Sequence, residues 1–373
     1  MKILEVNVDD IGMGGVYSLV RNVIKNRPAD AKVDMLAISE SFENPANEAE
    51  LASYDCKVFF AGFSGNKIIK QAIVFRNIYR IVKAGGYSAA HIHSDVSNYL
   101  LIPALAIRAA GCKKILLHSH SSGIDGSNGN RRGLKMIIHK VCRRLLKYIG
   151  TDFLACSDLA ARWMFPNVDN SSVVIVKNGI DLEKFRFSET TRMKVRVELG
   201  IEDKFVIGHV GRFSYVKNHE FIIDVFKMVA EHEPKAVLLL VGEGELEQAI
   251  RQKVASLGLT DRVIFYGVSH AANELFQAMD VCVLPSHFEG FPIVGIEAQA
   301  SGLPCVFSDH ITRQANVSGN VDFLPITPDA ENSWADKILS PRTIDRASVS
   351  DTMRKAGFSI NDTVADLWKL YTR

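Results

Sequence analysis

Short apolar runs alternate with amphipathic stretches along the whole chain, and this pattern predicts alternating strands and helices. In the first half, residues 2–8 are rich in β-formers, and the basic stretch 68–84 has helical spacing. The same pattern restarts at residues 205–211. Strands that alternate with helices predict parallel, doubly wound sheets, whose functional residues gather at the carboxyl ends of strands.

One strand end stands out at residues 285–304, PSHFEGFPIVGIEAQASGLP. An apolar strand at 280–284 leads into a glycine loop, and Pro292 suits the first turn of a helix that Gly302 ends. A helix N-terminus placed after a strand presents unpaired backbone N–H groups to an anion. This stretch is therefore a candidate anion site.

Two carboxylates flank that site, Glu289 in the loop and Glu297 inside the predicted helix. Either one alone is more often an ordinary solvated glutamate, since glutamate is rarely buried. Apolar and small residues surround Glu297, and a carboxylate in that setting needs hydrogen-bond donors such as sugar hydroxyls.

Composition describes a folded globular chain of 373 residues, long enough for two domains, with 47% hydrophobic and 23% charged residues. A net charge of +2 gives no reason to expect nucleic acid. No apolar run approaches the ~20 residues that span a bilayer. The N-terminus does not read as a signal peptide, and the six cysteines are scattered, so we expect reduced thiols in a cytoplasmic protein.

Glycines follow the first predicted strand at Gly14 and Gly15, before a helical stretch. Strand, glycine turn and helix form the unit that brings backbone close to a phosphate. The motif is not G-x-G-x-x-G, and a plain tight turn fits it equally well.

Four histidines mark the ends of two neighbouring strands, His91 and His93 on one, His118 and His120 on the next. They invite a metal hypothesis. No carboxylate or cysteine completes a ligand set in the sequence, and alternate residues on a strand share one face. We therefore expect no metal.

Residues 130–150 carry seven basic residues and no acid, with apolar residues at helical spacing. One interpretation is a domain helix with a core face and a solvated basic face. The other is a surface for anionic lipid or for a lipid-diphosphate acceptor. The arginines concerned are Arg131, Arg132, Arg143 and Arg144.

Two cations, Arg212 and Lys217, follow the strand at 205–211. Cations at a strand end that faces a helix N-terminus suit a diphosphate leaving group. The alternative is a pair of exposed surface cations.

The stretch EGFPIVGIEAQASGLP resembles the E-x7-E element of the retaining, nucleotide-sugar-dependent glycosyltransferases of family 4, and KNGIDLEKF and GRFSYVKNH resemble further segments of that family in the same order. The resemblance covers nearly the whole chain. It implies the α/β GT-B architecture, with two Rossmann-like, doubly wound parallel-sheet domains and an interdomain cleft. The expected domains are 1–182, with the C-terminal helix 357–373 crossing back, and 183–356.

The resemblance also implies residue roles. Arg212 and Lys217 would bind the donor diphosphate, Glu289 the transferring sugar and Glu297 the ribose. His120, or His118 as second choice, would face the site. The remaining implied donor contacts are Gly14, Gly15, Gly267, Val268, Gly290, Phe291, Pro292 and Ile293.

The function implied is transfer of a sugar from a nucleotide-sugar donor, with UDP preferred, to a saccharide or lipid-linked acceptor in polysaccharide or glycolipid synthesis. The expected reaction needs no metal or cofactor and takes place in the cytoplasm or at the inner face of the cell membrane. A nucleotide-sugar epimerase of the same fold, or a non-catalytic sugar-nucleotide-binding protein, is the alternative. The sequence names neither the sugar nor the acceptor.

Overall fold

The computed structural model describes residues 1–8, 15–41, 45–65, 67–124, 129–340 and 344–373, and the side chains of 45–47, 67–68 and 129–132 lie outside that description as well. Contacts divide the described chain into two compact units. Unit 1 comprises Met1–Ile124, Asn128–Gly179 and Ile360–Arg373, and unit 2 comprises Ile180–Ser359. The expected domain boundaries of 182 and 356 lie close to these divisions.

Unit 1 contains one sheet with helices on its faces. Its strands are β1 (Lys2–Val6), β2 (Lys32–Ala37), β3 (Val58–Phe60), β4 (Ala89–Ser94), β5 (Lys114–Ser119), β6 (Asp152–Ala155) and β7 (Val173–Ile175). Its helices are α1 (Gly15–Lys25), α2 (Pro45–Ser53), α3 (Lys67–Gly85), α4 (Ser97–Ala109), α5 (Gly129–Leu145), α6 (Asp158–Met164) and the C-terminal α15 (Ile360–Thr372).

Unit 2 repeats this plan. Its strands are β8 (Phe205–Val210), β9 (Ala236–Val241), β10 (Val263–Gly267), β11 (Val281–Leu284), β12 (Cys305–Ser308) and β13 (Val321–Leu324). Its helices are α7 (Leu182–Phe185), α8 (Glu189–Leu199), α9 (His219–His232), α10 (Glu247–Ser256), α11 (Ala272–Ala278), α12 (Ile293–Ala300), α13 (Glu331–Leu339) and α14 (Val349–Lys355).

Strand order locates the functional edge of each sheet. Over the described residues the orders are β3-β2-β1-β4-β5-β6-β7 and β10-β9-β8-β11-β12-β13, and the pairs in both sheets are parallel. The order reverses between β1 and β4 in unit 1 and between β8 and β11 in unit 2. Ligands of doubly wound sheets bind outside the carboxyl ends of the strands at such reversals.

The prediction of two parallel, doubly wound α/β sheets is confirmed. The sequence did not indicate β13, because its four residues VDFL are too short for a clear period and only Val321 is fully buried. The predicted start of the helix after Glu289 is displaced by one residue. Pro292 is the N-cap of α12, and its side chain makes no capping hydrogen bond.

Candidate functional site

The reversal of strand order in unit 2 brings two loops together. The loop after β8 contains the short 3-10 helix Tyr215–Lys217, and the loop after β11 runs into α12. Asn218, in the left-handed conformation, donates from Nδ2 to the Pro285 carbonyl at 3.2 Å. The His287 amide donates to the Val216 carbonyl at 2.9 Å. These two bonds hold Lys217 against the second loop.

Lys217 and Glu289 meet at this point. Lys217 Nζ lies 2.7 Å from Glu289 Oε1, and both side chains are mostly buried, with 18% and 15% exposed. Ser286 Oγ donates to the same carboxylate oxygen at 3.0 Å. The structure therefore places an ammonium and a carboxylate at one edge of the sheet, 72 residues apart in sequence. The sequence indicated both residues but not their pairing, nor the role of Ser286.

Glycines let the backbone pass closely beside this ion pair. Gly242 has a φ of 136°, and a Cβ there would lie 2.2 Å from the Gly211 carbonyl oxygen. A Cβ on Gly244 would lie 2.5 Å from the Phe213 carbonyl oxygen. Side chains at these positions would push the β8 and β9 loops apart. The glycines thus keep the loop that carries Lys217 close to the sheet.

Arg212 takes a different direction. Its guanidinium pairs with Glu245 at 3.2 Å, and its side chain is 75% exposed. The structure therefore separates the two predicted cations: Lys217 is fixed beside Glu289, whereas Arg212 extends into solvent from the same loop. Glu245 has no signal in sequence that links it to Arg212.

Glu297 lies on α12 and is partly buried. Burial raises its pKa to about 7, and the positive charge of Lys184 opposes that shift. The sequence predicts apolar surroundings for the Glu297 carboxylate, and burial that raises its pKa is consistent with them. Near neutral pH this group changes between a hydrogen-bond donor and a pure acceptor.

The remaining predicted residues of unit 2 lie at the same carboxyl edge. Gly267 ends β10 with a φ of 82°, and its carbonyl accepts the Gly242 amide at 2.8 Å. Val268 follows and is half-buried. The loop before α12 contains the buried Gly290, Phe291 and Pro292 and the half-buried Ile293.

The sequence did not single out two buried histidines of unit 2, His209 and His219. His209 Nδ1 lies 2.8 Å from the Val283 carbonyl, and the His219 ring stacks on Phe213 with centroids 4.1 Å apart. Burial lowers the pKa of His209 to about 4 and that of His219 to about 2, with the charge of Lys217 acting in the same direction. Both rings are therefore neutral beside Lys217.

The histidines of unit 1 form one buried network at its own reversal of strand order. His93 Nε2 lies 2.8 Å from Glu5 Oε2, and His93 Nδ1 lies 2.9 Å from His120 Nε2. Tyr371 Oη donates to Glu5 Oε1 at 2.7 Å and lies 2.8 Å from His91 Nδ1. The sequence did not indicate that the carboxylate of Glu5 hydrogen-bonds within this network. Glu5 lies on the neighbouring strand β1, and the apolar residues around it in the sequence did not indicate this contact.

This network fixes proton positions. Burial by itself opposes the charged form of Glu5, but the attraction and hydrogen bonds of His91 and His93 hold the pKa of Glu5 well below its usual value. Burial lowers the pKa of His93 to about 4 and that of His120 well below its usual value. A neutral His93 donates from Nε2 to the carboxylate, so its Nδ1 accepts from His120 Nε2–H. His120 keeps Nδ1 as an acceptor.

Ligand atoms of His91, His93 and His118 lie within 4.8 Å of one another, which is close enough to hold a metal ion. His91 Nε2 already lies 3.1 Å from His118 Nδ1, and His93 is bonded to Glu5 and His120. An ion would have to replace these hydrogen bonds.

Some predicted residues fall elsewhere. Gly14 and the side chains of Arg131 and Arg132 lie outside the described residues, and Gly15 begins α1. Arg143 is half-buried and donates to the Trp163 carbonyl at 2.9 Å, whereas Arg144 is exposed. Arg143 therefore does not belong to the exposed basic surface expected of α5.

A cavity of about 460 Å³ lies at the opposite edge of the unit 2 sheet, near the starts of β8, β9 and β11. Parallel sheets bind ligands at the carboxyl ends of their strands, so its size does not make it the functional site.

The chain is similar to known glycosyltransferases. Residues 191–340 match the family model described as Glycosyl transferases group 1. EpsF of Bacillus subtilis (strain 168), which is named as a glycosyltransferase, is 30% identical over 366 residues, 96% of this chain and 93% of that one. The UDP-Gal:alpha-D-GlcNAc-diphosphoundecaprenol alpha-1,3-galactosyltransferase of Escherichia coli is 26% identical over 264 residues, 68% of this chain and 64% of that one.

Solved structures share the fold. Anabaena HepE in complex with UDP and glucose has a TM-score of 0.77 at 19% identity, over 100% of this chain and 99% of that one. Sucrose-phosphate synthase of Thermosynechococcus elongatus has a TM-score of 0.73 at 20% identity, over 100% and 98% of the two chains. The fold shared with these structures is GT-B.

Proposed function

This chain belongs to the glycosyl transferases group 1 family and is a glycosyltransferase, and from that premise we propose that it transfers a sugar from a nucleotide sugar with retention at the anomeric carbon. The acceptor is a saccharide or a lipid-linked saccharide, in polysaccharide or glycolipid synthesis on the cytoplasmic side of the membrane. The observation that carries the proposal is the ion pair between Lys217 and Glu289, where the strand order of unit 2 reverses.

The pair gives each partner a role with the donor. Without donor, the Lys217 ammonium is neutralised by Glu289 at 2.7 Å. A diphosphate placed beside the N-terminus of α12 offers Lys217 a second anion, and Lys217 stabilises the charge that develops as the nucleoside diphosphate leaves. Glu289 then accepts hydrogen bonds from hydroxyls of the transferring sugar, and Arg212 moves from Glu245 to the diphosphate.

The choice of UDP rests on relatives. HepE was crystallised with UDP and with UDP-glucose, and the galactosyltransferase of E. coli is named for UDP-Gal and a diphosphoundecaprenol acceptor. Base recognition near Gly267 and Val268 would use backbone groups, which explains why side chains here do not identify the base. For unit 1 we propose that His120 Nδ1 accepts from a sugar hydroxyl.

We expect the transfer rate to be unchanged by a chelator. Arg212 and Lys217 supply the positive charge that a divalent ion provides in other transferases. The measurement is initial rate in excess EDTA and after adding magnesium or manganese. Transfer that stops in EDTA and returns with either ion would contradict this part of the proposal.

Affinity for UDP-glucose should fall as the pH is lowered through about 7. Above that pH Glu297 is a carboxylate that accepts from both ribose hydroxyls, and below it the group binds a proton, because burial raises its pKa to about 7. Loss of the charged form from pH 8 to pH 6 corresponds to a weakening of up to about tenfold. UDP-glucose is the right probe, since its diphosphate has no terminal phosphate group to titrate in this range.

Titration calorimetry of wild type and Glu297→Gln across this range checks the assignment. The variant should bind more weakly at pH 8 and show a flat profile. A wild-type profile that Glu297→Gln leaves unchanged would remove Glu297 from the ribose site.

The donor itself is tested by thermal unfolding with UDP-, GDP- and ADP-sugars. A ligand at 100 times its dissociation constant stabilises the folded protein by about 2.7 kcal/mol, and we expect this from UDP-sugars. Stabilisation by GDP- or ADP-sugars alone would overturn the choice of base. Incubation with donor alone tests the epimerase alternative, because an epimerase makes a new nucleotide sugar without an acceptor.

A further inference from the structure

Exposed apolar side chains of unit 1 are concentrated on α5 and the 3-10 turn that follows it. Six of the fourteen large hydrophobic residues that are exposed in the described part of the chain fall between residues 134 and 148. Their exposed fractions lie between 41% and 68%. Single exposed apolar residues are ordinary, whereas a contiguous group marks an interaction surface. These residues are Leu134, Ile137, Ile138, Val141, Leu145 and Tyr148.

This distribution reverses that of an ordinary surface helix. His139 is the buried anchor of α5: its Nδ1 accepts the Ser97 amide at 3.1 Å, and its ring stacks on Trp163 with centroids 4.1 Å apart. At about 100° per residue, Leu134 and Val141 lie on the face opposite His139. From the sequence alone, the apolar stripe of α5 could have faced the core. In the structure it faces solvent.

Basic residues border this apolar face. Lys140 and Arg144 are exposed on one side of it, Lys135 on the other, and Lys147 lies over the Tyr148 ring at 4.9 Å. Residues 129–148 contain no Asp or Glu. Among the described residues no helix has the length and apolar character required to cross a bilayer. An apolar face bordered by cations is the arrangement of a helix that lies in the plane of an anionic lipid surface.

We infer that α5 and residues 146–148 bind the protein to the surface of an anionic lipid bilayer. The apolar side chains enter the boundary between headgroups and acyl chains. Lys135, Lys140, Arg144 and Lys147 contact lipid phosphates, and Tyr148 lies at headgroup level, where aromatic residues concentrate. Binding of this kind does not require sugar transfer, so its failure and a failure of the proposed function are separate results.

The test is cosedimentation of the full chain with vesicles of phosphatidylcholine, with and without phosphatidylglycerol. Wild type should sediment with the anionic vesicles, and added salt should weaken this binding because it screens exposed charges. Ile137→Ser with Val141→Ser should weaken binding by about tenfold or more, since two apolar side chains no longer leave water. Lys140→Gln with Arg144→Gln should weaken it by about twenty-five-fold, at about fivefold per cation.

Helix α8 of unit 2 provides a matched control. Met193 and Val197 have the same spacing as Ile137 and Val141, and they are 63% and 62% exposed. Met193→Ser with Val197→Ser should bind vesicles as wild type does.

Three results would overturn the inference. The first is that the wild-type protein stays in solution, or that it binds neutral and anionic vesicles equally. The second is unchanged binding by Ile137→Ser with Val141→Ser. The third, from light scattering without lipid, is a dimer that the same double variant dissociates, because a second copy would then cover this face.

Discussion

Replacing Lys217 by Gln should lower the rate of sugar transfer on the order of 10²-fold or more while the fold survives. The side chain is mostly buried beside Glu289 and is held by the two hydrogen bonds that fasten the 3-10 helix Tyr215–Lys217 to the loop at 285–287. Gln keeps a hydrogen-bonding group, on a side chain one atom shorter, and removes the charge. The lost energy is that of stabilising the leaving diphosphate, so the turnover rate should fall more than the donor affinity.

A second ion pair in the same unit gives the control. Lys253 Nζ lies 2.6 Å from Asp224, with side chains 28% and 34% exposed, on helices α10 and α9. Lys253→Gln removes a comparable charge and should leave transfer unchanged. Equal losses in both variants would mean that general destabilisation causes the effect.

Exchanging the pair separates catalysis from structure. The double variant Lys217→Glu with Glu289→Lys restores an ion pair in reverse. If the pair only holds two loops together, activity should return. In our account it stays lost, because the ammonium must face the diphosphate and the carboxylate the sugar.

Acid should destabilise the protein strongly between about pH 6.5 and pH 4. Buried histidines have folded-state pKa values below their usual 6.5, so the unfolded chain binds protons that the folded chain does not. The stability that these histidines contribute is therefore complete above pH 6.5 and falls as the pH is lowered. Each such histidine contributes on the order of 1 kcal/mol per pH unit. Burial lowers the pKa of the following histidines: His93, His118, His120, His139, His209 and His219.

His139 allows a direct test of this acid sensitivity. Its pKa is lowered to about 4, chiefly by burial, and protonation of Nδ1 would remove the acceptor of the Ser97 amide. In His139→Asn the dependence of the unfolding free energy on pH should lose the contribution of one proton over this window. Urea unfolding at a series of pH values measures it. His270 is exposed, so His270→Gln should leave the dependence as in wild type.

The fold could be predicted because its information is local. Short apolar strands alternate with helices at a regular spacing, and parallel pairing follows from that order. Lys217, Glu289 and Glu297 could be named as candidates, since each lies in a loop or helix that follows a strand end marked in the sequence.

Side-chain pairing could not be predicted, because it depends on strand order. Glu5 meets His93 only because β1 and β4 are neighbours in the sheet, although 88 residues separate the two in sequence. Arg212 and Lys217 look equivalent in sequence, but only Lys217 is fastened beside Glu289. The exposure of Leu134 and Val141 could not be predicted either, because an apolar stripe has the same spacing whether it faces a core or solvent.

Transfer of labelled sugar from a UDP-sugar to a lipid-linked saccharide acceptor tests the central claim most directly. Wild type should release UDP and form a product whose anomeric configuration, read by NMR, matches that of the donor, and Glu289→Gln should form far less of it. A product of inverted configuration, or conversion of the donor to another nucleotide sugar with no label in the acceptor, would contradict the account.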